Sequence, residues 1–152
     1  MSAEVELAGI EGGVVVGDDG SACAADAVRY AVGEARRRGS ALHVVRAFSI
    51  ATAPRPQGWS FGSVPSVPEL AEATRAVEQA RVEELLAGEE GVEVVIHTPH
   101  AHPSEALLAA AKTADVVVVG ARGRGGFASL RLGSTADQVA HHAHCPVIVV
   151  KH

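Results

Sequence analysis

Aromatic side chains are scarce in this chain: one tryptophan, one tyrosine and three phenylalanines, 3% of 152 residues. A core of stacked rings is thereby excluded. Burial must come instead from the Ala, Val and Leu that dominate a 47% hydrophobic fraction, a mix suited to helices packed on a parallel sheet. Cysteine is as rare. Cys23 and Cys145 stand far apart in apolar surroundings, which argues against a disulfide framework and for a reducing cytoplasm. Positive charge is also in short supply, and a formal charge of -5 argues against a nucleic-acid partner, whose binding surface needs a basic face. No apolar run approaches the roughly 20 residues that span a bilayer. The opening MSAEVELAGI lacks the basic start and apolar centre of a signal peptide. The expectation is one domain over residues 1–152, with 1–12 as a loosely held arm and no membrane partner.

What is present is organised in alternating segments. Gly13 to Gly17 (GVVVG) reads as a first strand, followed by an Asp18-Asp19-Gly20-Ser21 turn. Ser21 is positioned to cap a helix over residues 22–38, whose stripe is Ala24, Ala27, Val28, Ala31, Val32 and Ala35. Three arginines and Gly39 supply its C-terminal signal. Residues 41–48 (ALHVVRAF) form a second strand. Residues 49–68 hold four of the seven prolines with Trp59 and Phe61, and read as a long flexible loop or flap. A second helix follows over 69–86, with Leu70, Ala73, Val77, Ala80, Leu85 and Leu86 as its apolar face. Then come a strand at 92–97, a helix at 104–112 with Pro103 in its first turn, a strand at Val116–Val119, a helix from about Thr135 to His142, and a strand at Val147–Val150. Strands alternating with helices imply right-handed crossovers and a parallel sheet covered on both faces.

The stretch VVVVGARGRGGFASLRLGST carries the clearest chemistry. Gly120 ends a strand; the loop beyond it has three more glycines and three arginines (Arg122, Arg124, Arg131) but no acid. It closes on Gly133-Ser134-Thr135, where a helix begins. Backbone N–H groups and the dipole at a helix start favour an anion. If the first and fourth strands are neighbours, the Asp18-Asp19 turn faces this loop across a crevice, with acceptors at one end and phosphate donors at the other. Gly123 to Ala128 matches G-x-G-x-x-A, but it lies after the fourth strand and has no acid about 20 residues on, so a dinucleotide loop is excluded. A Walker A loop is excluded too, because no lysine precedes Ser134.

The spacing Gly120-x-x-Gly123, nine residues, Gly133-Ser134 resembles the nucleotide-binding signature of the universal stress protein family. The run from Gly120 to Val150, the opening VVVGDDGS, the strand LHVV and the block HPSEALL all resemble that family, so the likeness covers nearly the whole chain outside the arm and the 49–68 loop. The resemblance implies a doubly wound five-stranded sheet in the order 3-2-1-4-5, dimerising through the last strand, Val147–Val150. It implies an ATP or related adenine-nucleotide site, assisted by magnesium. Gly17 and Asp19 would line the nucleoside end and Val44 would pack on adenine. Gly120, Ala121 and Gly123 would meet ribose and α-phosphate; Gly133, Ser134, Thr135 and Ala136 would hold the remaining phosphates. Arg122 and Arg124 would assist them. Asp18 departs from the family's usual apolar residue, and either binds a divalent ion or stands in solvent.

Other polar groups read as structural. His97, His100 and His102, and likewise His141, His142 and His144, lack Cys or acid partners at ligand spacing, so no metal site is expected. His43 reads as a hydrogen-bonded core residue and the two cysteines as packing. No catalytic triad is recognisable, and no catalytic residue is assigned. The expected function is an adenine-nucleotide-binding regulator in a stress response. The alternatives are a slow ATPase or phosphotransferase, and a nucleotide-independent dimeric adaptor that recruits a protein.

Overall fold

A computed structural model describes residues 7–123 and 132–152. Nine elements alternate along the chain: β1 (Val14–Gly17), α1 (Ala22–Arg38), β2 (Leu42–Val45), α2 (Val67–Leu85), β3 (Val94–His97), α3 (Pro103–Ala111), β4 (Val116–Gly120), α4 (Ser134–His142) and β5 (Val147–Val150). The strands form one parallel sheet in the order β3-β2-β1-β4-β5, with Val14 beside both Leu42 and Val116. No helix among the described residues is long and apolar enough to cross a membrane.

Strand alternation divides the core in two. Val14, Val16, Leu42, Val44, Val116 and Val118 pack against the α1 stripe and Val82 of α2. Val15, Val45, Val117 and Val119 point the other way, onto α3 and α4. Each buried valine contributes about 1.5–3 kcal/mol, so the two layers supply the bulk of the driving force. The α1 helix follows its sequence signals closely. Ser21 Oγ accepts from Ala24 N at 3.1 Å, and Gly39, at φ 62°, lets the chain leave through a left-handed turn. The bond from Ser40 N to Ala35 O at 3.0 Å completes that cap.

Three expectations change. Residues 7–12 are docked, because Ile10 is buried in the α3–α4 layer and Gly12 N donates to Thr113 O at 2.7 Å. Helix α2 starts at Val67, with Ser66 as its cap. Its buried face is also rotated from the expected one: it consists of Leu70, Thr74, Glu78 and Val82, while Val77 is 52% exposed. Thr74 can be buried because its hydroxyl donates to Leu70 O at 2.7 Å. Glu78 is buried for a different reason, given below. Between β2 and α2, Ala53 and Phe48 pack on Leu70. Further out, the Trp59 indole N–H donates to Ser63 O at 2.9 Å and its ring leans on Phe61, which is 96% exposed.

Candidate functional site

The chain passes from β1 through α1 to β2 on one side, and β4 pairs on the other, so the strand order reverses at β1–β4. A crevice of about 470 Å³ opens beyond the carboxyl ends of these strands. Its walls are built by three local devices.

The first is the β1–α1 turn. Asp18 Oδ1 accepts from Gly20 N and Asp19 Oδ1 from Ser21 N, each at 2.9 Å, so both carboxylates fold the turn that caps α1. Asp19 lines the crevice, beside Gly17.

The second is the exit of β4. A Cβ on Gly120 would stand 3.0 Å from Cys23 Sγ and 3.1 Å from Cys23 backbone atoms, so glycine is required for α1 to approach. A Cβ on Gly123 would lie 2.5 Å from Asp19 Oδ2. The acidic turn and the glycine loop are therefore in contact. The loop returns where Gly133 N donates to Ala121 O at 2.6 Å.

The third is the start of α4. Gly133 is its cap and offers no side chain; the first turn closes when Asp137 N donates to Gly133 O at 2.9 Å. The N–H groups of Ser134, Thr135 and Ala136 precede that bond, and all three residues line the crevice. This is the donor-rich, positive end of a helix dipole. Arg122 lines the same wall.

The crevice thus gathers Gly17, Asp18, Asp19, Gly120, Arg122, Gly123, Gly133, Ser134, Thr135 and Ala136 from the residues singled out in the sequence. Ala121 is buried behind it, where its backbone closes the loop. Arg124, with Gly125, Gly126 and Arg131, lies outside the described residues. Val44 requires a correction: strand alternation turns it onto the α1–α2 layer, and Val45 and Ala47 line the crevice in its place. His102, Pro103 and Leu107 at the start of α3 also line it. The sequence signal for them was the HPSEALL block.

Asp18 is the second correction. It is 4% exposed, so it does not stand in solvent. Arg81 of α2 clamps it with two bonds, Nε to Oδ2 at 2.7 Å and Nη2 to Oδ1 at 3.1 Å, and reaches Ser21 O at 3.0 Å. Glu78, one helical turn earlier and 1% exposed, lies against the same carboxylate. Neither Glu78 oxygen has a well-formed hydrogen bond, and Arg46 Nη1 is 3.7 Å away. Burial would raise the Asp18 carboxyl, but the adjacent Glu78 carboxyl and the bonds from Arg81 and Gly20 outweigh it and hold it below the usual carboxylate range. Burial and the adjacent Asp18 charge instead push Glu78 up to about 8. At neutral pH the pair holds one proton, on Glu78.

This has a measurable sign. The ordinary glutamate value is 4.5, so below it Glu78 is protonated folded or unfolded. Between 4.5 and about 8 the unfolded chain releases the proton while the folded chain keeps it, and stability falls as pH rises. Glu78→Gln carries no such proton. Its folding stability should match wild type near pH ~5 and exceed it near pH ~9 by roughly 1–3 kcal/mol, read as a higher thermal midpoint. Melting curves across that range test this; an offset that does not vary with pH refutes it.

The histidines of the 97–102 segment are engaged separately. His97 Nε2 meets His43 Nδ1 at 2.9 Å, which makes His43 the bonded core histidine its strand context suggested. His100 stacks on Phe48, and His102 Nδ1 meets Ser104 Oγ.

Comparison with known proteins agrees with this architecture. The model of the "Universal stress protein family" matches residues 13–151. A universal stress protein of Mycolicibacterium smegmatis is 37% identical over 146 residues, covering 91% of this chain and 45% of the relative. One from Mycobacterium tuberculosis is 34% identical over 152 residues, covering 91% and 47%. The chain spans a little under half the length of these relatives. Among solved structures, the universal stress protein from Archaeoglobus fulgidus in complex with dAMP superposes with a TM-score of 0.62 at 25% identity, covering 93% of this chain and 99% of that one.

Proposed function

This chain belongs to the universal stress protein family, and on that footing we propose that its crevice binds an adenine nucleotide as a regulatory ligand. One juxtaposition carries the reading. The Asp19 carboxylate stands on the β1 wall, and the first-turn amides of Ser134, Thr135 and Ala136 stand on the α4 wall of the same crevice. Acceptors for hydroxyls or an amine and donors for phosphate are the two ends of a nucleotide. The dAMP held by the Archaeoglobus fulgidus relative supports the choice of adenine.

In this reading Gly120, Gly123 and Arg122 attend the ribose and first phosphate, Gly133 to Ala136 bind the outer phosphates of ATP, and Val45 and Ala47 supply an apolar seat for the base. Magnesium travels on the phosphates, since no group of three His, Cys, Asp or Glu side chains comes together among the described residues. The protein pairs with a second copy along β5, whose four residues are half-buried at the end of the sheet.

Calorimetry with AMP, dAMP and ATP, the last with and without magnesium, tests the proposal. Saturable heat is expected, with a thermal shift that grows with nucleotide; at 100 times the dissociation constant, binding adds about 2.7 kcal/mol of stability. A folded protein showing neither heat nor shift at millimolar nucleotide refutes it.

A further inference from the structure

The connection from β3 to α3 is fastened to the exit of β2. Phe48 N donates to Pro99 O at 3.0 Å and Ala101 N to Phe48 O at 3.2 Å. The next residue, His102, occupies the cap position of α3 in extended conformation, φ -69° and ψ 140°. A side chain there ordinarily accepts from a backbone N–H of the first turn of its own helix. His102 makes no such bond. Its Nδ1 lies instead 3.0 Å from the hydroxyl of Ser104, which is 9% exposed. That contact engages one ring nitrogen and orients the imidazole of a residue that lines the crevice with Val45, Ala47 and Leu107; Nε2 is its second polar atom.

Position and chemistry then coincide. In the sheet, β1 stands between β2 and β4, so the wall fastened to β2 lies across from the glycine loop of β4. Val45 at the end of β2, Ala47 just beyond it, and Leu107 offer apolar contact to a flat ring but no polar side chain for its edge. We propose that His102 reads the base: its Nε2 hydrogen-bonds the polar edge of a purine seated on Val45 and Ala47. This rests on the nucleotide reading above and deepens it.

The Ser104 partner gives the contact a particular character. A hydroxyl both donates and accepts. When Nδ1–H donates to Ser104 Oγ, Nε2 accepts from a 6-amino group. When the Ser104 O–H donates to Nδ1, Nε2–H donates to a 6-oxo group. The pair therefore accommodates adenine and hypoxanthine alike, and the site selects for a purine edge more than for one substituent.

Titration of AMP, IMP and ribose 5-phosphate into the wild-type protein and His102→Ala tests this. His102 is exposed, so the variant should fold, with a melting temperature near wild type. AMP and IMP should bind the wild type within about threefold of each other, and His102→Ala should weaken both about fivefold to tenfold, the loss of one hydrogen bond, while ribose 5-phosphate is unaffected. An equal loss for ribose 5-phosphate would reassign His102 to the phosphates and overturn the proposal, as would no change for any ligand. A wild type that binds AMP but not IMP overturns the tautomer argument. Absence of wild-type binding to AMP overturns the nucleotide reading itself.

Discussion

Arg81→Ala should cost about 3–5 kcal/mol of folding stability, the largest single loss expected outside the valine layers. Arg81 is the only cation that the described residues place in hydrogen-bonding contact with Asp18, and it makes two bonds to it. Without the guanidinium, a carboxylate with no exposed side-chain surface remains beside a second buried carboxyl. The bond to Ser21 O, which ties α2 to the cap of α1, is lost as well. Urea denaturation of the single variant and of Asp18→Asn/Arg81→Ala separates the two contributions. The double variant removes both charges and should recover a large part of the loss. A single-variant loss below about 1 kcal/mol, or a double variant no better than the single, would show that the pair is not what anchors α2. Because Asp19 follows Asp18 directly in the same turn, nucleotide affinity should fall along with stability.

Gly123→Val should do the opposite: remove binding and leave the fold nearly intact. Gly123 is exposed and its φ is not positive, so the backbone conformation tolerates a side chain. What stands in its way is Asp19 Oδ2, 2.5 Å from where a Cβ would lie. A branched side chain must turn the Asp19 carboxylate away, against its bond from Ser21 N, or push the loop back, and both walls of the crevice meet there. Affinity for AMP should drop about 100-fold or more, equivalent to ~2.7 kcal/mol, within the range that overpacking costs. Calorimetry beside a melting curve measures both. Unchanged affinity would mean that this contact does not shape the binding site.

How far the sequence foretold these features depends on whether their causes were local. Helix α1 was legible end to end, because Ser21, the alanine–valine stripe and Gly39 each act within a few residues of themselves. The crevice residues from Gly120 to Ala136 were legible for a similar reason: glycine spacing encodes close approach. The face of α2 was not. Thr74 and Glu78 are polar by name, and the reasons for burying them lie elsewhere, in the Leu70 carbonyl for one and in Asp18, 60 residues away, for the other. Asp18 itself was misjudged because nothing near it in sequence announces Arg81. Val44 and Val45 show a subtler limit. In LHVV both sides of the strand are buried and each carries a valine, so the period of two is known but its phase is not, and only the helices packed on each face decide which valine meets the crevice.

The outer edge of the sheet ends on a shared atom. Val150 O, the last carbonyl of β5, accepts from Ala121 N at 2.8 Å and from the Cys23 thiol at 3.4 Å. Ala121 in turn closes the glycine loop, and Cys23 sits in the first turn of α1 against Gly120. A neighbour that grips β5 from outside is therefore two bonds from Gly133 and the start of α4. Were two copies to pair along β5, the pairing would reach each crevice through this one carbonyl.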